Sequence, residues 1–214
     1  MGRPSLREKI LVSGVRTLHE QGYGAAGIRD ITAAAGVPQG SFTNHFASKE
    51  AFAVATLERY YEGIEATITA TLYDEARSPA ARLRAYFDTV TERLDAADWH
   101  HGCLIGNFGL ETSEHSEALR TRLDDVLDRI TGAFAETVRA AQVAGEMRAD
   151  MPADEIASAL LSSWQGAMLW MKVQRSGAAI ERFKRVTLAA FLTTVTSISP
   201  PGAHDDQARS SQDV

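Results

Sequence analysis

Apolar residues recur at helical spacing along almost the whole chain. Between Leu6 and Gly22, Ile10, Leu11, Val15 and Leu18 share one stripe and predict a first helix. A second starts at Gly27, a tolerated N-cap, with Asp30 facing the positive end of the helix dipole and Ile28, Ile31 and Ala35 on its buried side. Gly36 supplies the left-handed residue that ends a helix, and Pro38 has the φ that starts another. In that third helix Phe42 and Phe46, four apart, pack inward, leaving Gln39, Ser41, Thr43, Asn44 and His45 outward or sideways. Two short helices joined this tightly, resting on a third, form a helix-turn-helix.

Downstream, Ser48 caps a helix from Lys49 to Leu72 that no proline interrupts. Ser78 and Pro79 open another that reaches about Trp99, with Leu83, Tyr86, Phe87, Val90 and Leu94 inside. The loop Asp98 to Gly102 leads into CLIGNFGLE, and Ser116 to Ala144 predicts a long amphipathic helix that Gly145 ends. Met151 and Pro152 open ADEIASALLSSWQGAMLWMKVQRS, apolar on more than one face and dotted with Ala157, Ser158, Ser162 and Gly166. After Gly177 a last helix runs to Ser197. A helix apolar all round must be covered on both sides, and in a body this small a second subunit is the expected cover. The expected architecture is all-α: a three-helix head over 1–48, a larger helical domain over 49–198, and a disordered polar tail over 199–214.

Short polar side chains on an exposed helix suit the major groove, where Gln or Asn pairs bidentately with adenine and Ser or Thr serves bases or phosphates. Charge sharpens that picture. The whole chain carries −6, yet its first 50 residues hold six basic against four acidic side chains, leaving sixteen against twenty-four in the remainder. The positive excess is thus focused on the head, Arg29 and Lys49 included, while the net charge argues against a protein that coats nucleic acid along its length. No apolar run reaches the roughly 18 residues that span a membrane and no signal-peptide pattern is expected at the N-terminus, so a cytoplasmic protein is the expectation.

The order GY, IRDI, AGV, a glycine two residues before an aromatic, HF and SKE closely resembles the amino-terminal domain of the TetR family of transcriptional repressors. The resemblance is strong over about the first 60 residues and rests on helix pattern beyond them. It implies a homodimer built on the last two helices, an operator that is roughly palindromic, and recognition helices about 34 to 36 Å apart. By position it implies base contacts from Gln39, Ser41, Asn44 and His45 and phosphate contacts from Thr43 and Lys49. Two departures stand out: Ala26 and Gly27 replace a common hydroxyl pair, and Thr43 and Asn44 stand where tyrosine is frequent.

The family also implies a pocket for a small-molecule inducer. Trp99, Phe108, Phe134, Trp164 and Met168, with Tyr86, Phe87 and Trp170, offer apolar walls, and Asn107, Glu111 and Gln165 offer polar fixtures. For any one aromatic, ordinary core is the commoner role. Cys103, the only thiol, follows His100 and His101 at a loop-to-helix junction, where imidazolium and a helix N-terminus favour a reactive thiolate. Lys172 lies in the apolar run AMLWMKVQRS, and the GCL and MKVQRS segments are similar to those of family members that answer electrophiles and oxidants. Thiol sensing through Cys103 and Lys172 is therefore the alternative to a reversible ligand. A metal at His100, His101 and Cys103 is a third option, disfavoured because adjacent histidines point apart and no second ligand cluster is present; no metal and no cofactor are expected. No nucleophile elbow, phosphate loop or HExxH motif argues for an enzyme. A helical interaction module without DNA binding accounts for the apolar final helices and leaves the turn chemistry unexplained.

Overall fold

A computed structural model describes residues 5–192, all-α with no strand among them. Helix α1 (Leu6–Ala25) starts at Ser5, whose side chain accepts from the Glu8 amide, and kinks at Gly22. Helices α2 (Ile28–Ala34) and α3 (Gly40–Thr43) cross it as the pair that the turn residues predict. The Asp30 carboxylate accepts from the Gly27 amide at 3.0 Å, and Gly36, at φ +64°, ends α2 in the left-handed region that any side chain would strain. Phe42 and Phe46 face each other at 5.3 Å, and both meet Phe52 at about 5 Å, so the first turn of α4 (Lys49–Thr71) completes the core of the head. Phe52 lies so close to α1 that a Cβ on Gly14 would stand 2.2 Å from its ring.

The body follows. It comprises α5 (Pro79–Ala96), α6 (Leu104–Thr112), α7 (Glu117–Val143) and α8 (Ala153–Gln174); α6 packs on α1 and α7, while α5, α7 and α8 meet at an aromatic hub. Phe87 sits at its centre, 4.8 to 5.7 Å from Tyr86, Phe134, Trp164 and Phe183, and is itself wholly buried. Burying such a side chain contributes roughly 1.5–3 kcal/mol, which is why the pattern Leu83, Tyr86, Phe87, Leu94 turns inward. After the left-handed Arg175 come α9 (Ala178–Arg182), a π-helical turn (Phe183–Leu188) and α10 (Ala189–Phe191). The single helix expected after Gly177 is thus widened at Phe183 by a π turn. Its expected end at Ser197 and the polar tail 199–214 lie outside the described residues.

Among the described residues one face of α8 is exposed. Leu169, Trp170 and Val173 stand more than half exposed, as does Val186 on the turn beside it. No helix among the described residues is long and apolar enough to cross a membrane.

Candidate functional site

The short α3 and its flanking turns put the polar residues of the second helix on the outside. Gln39, Thr43, Asn44 and His45 are exposed and Ser41 is half-buried, because Phe42 and Phe46 take the inward positions. Thr43 is not free-swinging: its hydroxyl donates to the Gly40 carbonyl at 3.0 Å. Arg29 is exposed on α2. Lys49 is half-buried, its ammonium held 4.6 Å over the Tyr23 ring at the end of α1. That cation–π contact ties the first residue of α4 to the end of α1.

Several bonds tie the head to the body. His19 of α1 contacts the Gly102 carbonyl at 2.7 Å, and since a carbonyl only accepts, the ring carries its proton on Nε2. Burial, the largest influence, holds the His19 pKa below its usual value, and nearby His101 and Lys172 push the same way against the Gly102 bond. The Gly24 amide donates to Glu111 on α6 at 3.0 Å, Tyr23 packs edge-on against Phe108 at 6.0 Å, and the Ser116 hydroxyl donates to Glu50. Arg59 on α4 pairs with Glu8 of α1 at 2.9 Å.

Between α1, α4, α5, α6 and α8 lies a cavity of about 440 Å³. Three helices each present it with residues at the 3–4 spacing of one face: Val12, Val15 and His19 from α1, Tyr60, Ile64 and Thr67 from α4, and Tyr86, Val90 and Arg93 from α5. Trp164, Gln165 and Met168 close it from α8. A second hollow of about 400 Å³ lies outside, between α6 and α8, and takes in Asn107, Leu110, Leu169 and Lys172. Cys103, Ile105, Gln165 and Met168 border both. The thiol therefore stands in the partition. Its Sγ accepts from Gln165 Nε2 at 3.4 Å and lies 4.0 Å from the Tyr60 hydroxyl. Burial, then Cys103, push the Tyr60 phenol well above its ordinary range.

Of the residues expected to line a pocket, Cys103, Trp164, Met168, Tyr86 and Gln165 meet at the inner cavity and Asn107 at the outer one. Phe108 and Phe134 stand elsewhere, fully buried as core because other rings cover them. Trp99 packs its ring on the Gly177 backbone, and Glu111 is spent on Gly24. Phe87 belongs to the aromatic hub and Trp170 to the exposed face of α8. Lys172 borders the outer hollow beside Gly102. His19, Tyr60, Thr67 and Arg93 were not singled out from sequence, although their 3–4 spacing with apolar neighbours carried the signal. Among the described residues no group of three His, Cys, Asp or Glu side chains is placed to hold a metal.

A helix-turn-helix head bolted to a helical body that encloses a cavity defines a DNA-binding regulator. Residues 10–56 match the model for bacterial regulatory proteins of the tetR family, and residues 79–187 match that for the tetracyclin repressor-like C-terminal domain. The chain is 38% identical to the HTH-type transcriptional repressor DhaR of Mycobacterium sp. (strain GP1), over 93% of this chain and 98% of that one. It is 31% identical to the transcriptional regulator AcuR of Cereibacter sphaeroides, over 87% and 85%. The crystal structure of regulatory protein TetR from Rhodobacter sphaeroides superimposes with a TM-score of 0.84 at 31% identity, covering 88% of this chain and all of that one. That of Escherichia coli NemR in its reduced form gives 0.81 at 26%, over 89% and 98%. The chain belongs to the TetR family of transcriptional regulators.

Proposed function

We propose that this protein is a homodimeric repressor, acting in the cytoplasm on a roughly palindromic operator and released when a small organic molecule enters the inner cavity. The observation that carries this reading is that α1 serves two sites at once: it supports α2 and α3 in the head, and its Val12, Val15 and His19 form a wall of the cavity. An occupant touches the DNA-binding head directly. In this reading Gln39, Ser41, Asn44 and His45 meet base edges, Thr43, Arg29 and Lys49 meet phosphates, and the exposed face of α8 with Val186 is covered by a second subunit. The head spans about 1–48 and the body 49–198, with α4 shared between their cores. The effector acts by binding more tightly to a body conformation in which the two heads no longer fit successive major grooves.

The test is selection of DNA from a random pool by the purified protein. An enriched inverted repeat whose binding is salt-sensitive and is lost in Asn44→Ala supports the reading; enrichment of no sequence, or of one bound equally well by Asn44→Ala, overturns the assigned head.

A second reading of the signal rests on the position of Cys103. Its sulfur stands where both hollows meet, so a thiol-reactive electrophile entering either one reaches it, with Lys172 beside the outer mouth. Modification would displace Gln165 and Tyr60 from the partition and act on the same wall as a reversible ligand.

A further inference from the structure

We propose that the inner cavity binds a small organic acid, its carboxylate held between the Tyr86 phenol and the Arg93 guanidinium and its apolar body laid against Val90, Leu161 and Trp164. This rests on the reading of that cavity as the effector site.

Tyr86 is the first ground. It is only 6% exposed, it lines the cavity, and its hydroxyl has no hydrogen-bond partner among the described residues. The hydroxyl makes no hydrogen bond to the described residues and belongs to a side chain that lines the cavity, so an occupant is the available acceptor. Burial raises its pKa far above the working range, so the phenol stays neutral and donates.

Arg93 is the second. It stands two helical turns further along the same face of α5, at the cavity mouth, and its charge acts on the Tyr86 phenol. It donates to the Thr67 hydroxyl at 2.7 Å, but no carboxylate pairs with it among the described residues. A guanidinium carries five N–H donors, so most of its capacity is open.

Third, no Asp or Glu among the described residues lines the cavity. The other arginine at its edge, Arg59, is neutralised by Glu8 and Glu62. A cationic ligand would meet positive charge with no lining carboxylate to balance it, whereas an anion meets an arginine without a carboxylate partner and a phenol free to donate. A neutral alcohol or amide satisfies the phenol and leaves the guanidinium unused.

The experiment is calorimetric titration of the full-length protein with straight-chain carboxylates of four to eight carbons and with the primary alcohols and amides of equal length. The expected result is that the best acid binds about tenfold tighter than its alcohol and amide, as a charge-assisted pair implies at a partly exposed mouth. Arg93→Ala removes that preference and leaves alcohol binding within about twofold, while Tyr86→Phe weakens the acid roughly three- to tenfold. Alcohols that bind as tightly as acids, an acid preference that survives both substitutions, or an acid series that fails to bind would each overturn the assignment. Neutral members that bind and release DNA would keep the effector cavity and refute the acid. Acids that bind through Arg93 yet never shift DNA affinity would keep the ligand and refute the effector reading.

Discussion

His19 and Gly102 are 83 residues apart in sequence and 2.7 Å apart in space. The bond joins α1, the first helix of the DNA-binding head, to the loop that precedes α6 and borders both hollows. The ring is also packed edge-on to Tyr60 at 5.8 Å and lies 5.2 Å from His101. The Gly102 loop is thus tied directly to the head.

This contact has a pH signature. The groups around His19 are Tyr60, His101, Lys172 and Glu20, and burial leads the net lowering of its pKa from 6.5. With the folded pKa below the unfolded one, the unfolded chain binds more protons in that window, so stability rises with pH there. The stability is fully present above about pH 6.5 and is lost as pH falls through the folded pKa. Thermal melts at pH 7.5 and 5.5 should show a fall in Tm for the wild type that is smaller in His19→Gln; an equal fall in both would place the titration elsewhere.

Gly14 faces Phe52 where a Cβ would stand 2.2 Å from the ring. Gly14→Ala should overpack the junction of α1 with α4 and cost about 1–3 kcal/mol, read as a lower urea midpoint. A neutral outcome would mean that Phe52 has another rotamer within easy reach.

Lys49 lies over Tyr23 at the rim of the head, and Gln39 is exposed on the outward turn. Lys49→Ala should weaken binding to all DNA sequences and lower the slope of affinity against log salt by about one unit, whereas Gln39→Ala should chiefly relax base preference. Anisotropy titrations across a salt series separate the two; a Lys49→Ala slope equal to wild type would remove the phosphate contact.

The apolar face of α8 exposes 58% of Trp170 and 71% of Val173. If this face joins two subunits as proposed, Trp170→Glu should give monomers in analytical ultracentrifugation where the wild type gives dimers, and should weaken operator binding at least tenfold, because two half-sites are then engaged independently. A dimer that survives the substitution would move the interface to another surface.

Cys103 separates the two readings of the signal. Cys103→Ser should abolish DNA release by N-ethylmaleimide while leaving release by a reversible ligand intact, because the serine keeps a hydrogen-bonding group beside Gln165 and removes the nucleophile. Release by the maleimide from Cys103→Ser would exclude the thiol as sensor, since the chain has no other cysteine.

The helices and the head were legible in the sequence because local chemistry decides them. Gly27 with Asp30, Gly36, Pro38 and Ser48 start and stop helices through backbone geometry and nearest-neighbour hydrogen bonds, and the stripes Ile10–Leu18 and Leu83–Leu94 name their buried faces. The same patterning gave α8 apolar residues on more than one face, and Leu169, Trp170 and Val173 are indeed exposed there. The sequence could not tell a ring that lines a cavity from one that fills the core, since Phe108, Phe134 and Trp164 carry the same hydrophobic signal. Packing separated them: Phe108 and Phe134 are sealed by neighbours, and Trp164 borders open space. Nor did any local rule join His19 to Gly102, Glu111 to Gly24 or bring Tyr86 and Arg93 to one cavity, because those relations depend on how α1, α5 and α6 cross. Element boundaries come from short-range physics, while the cavity, its lining and its contact with the head come from the long-range arrangement of helices that only the folded chain specifies.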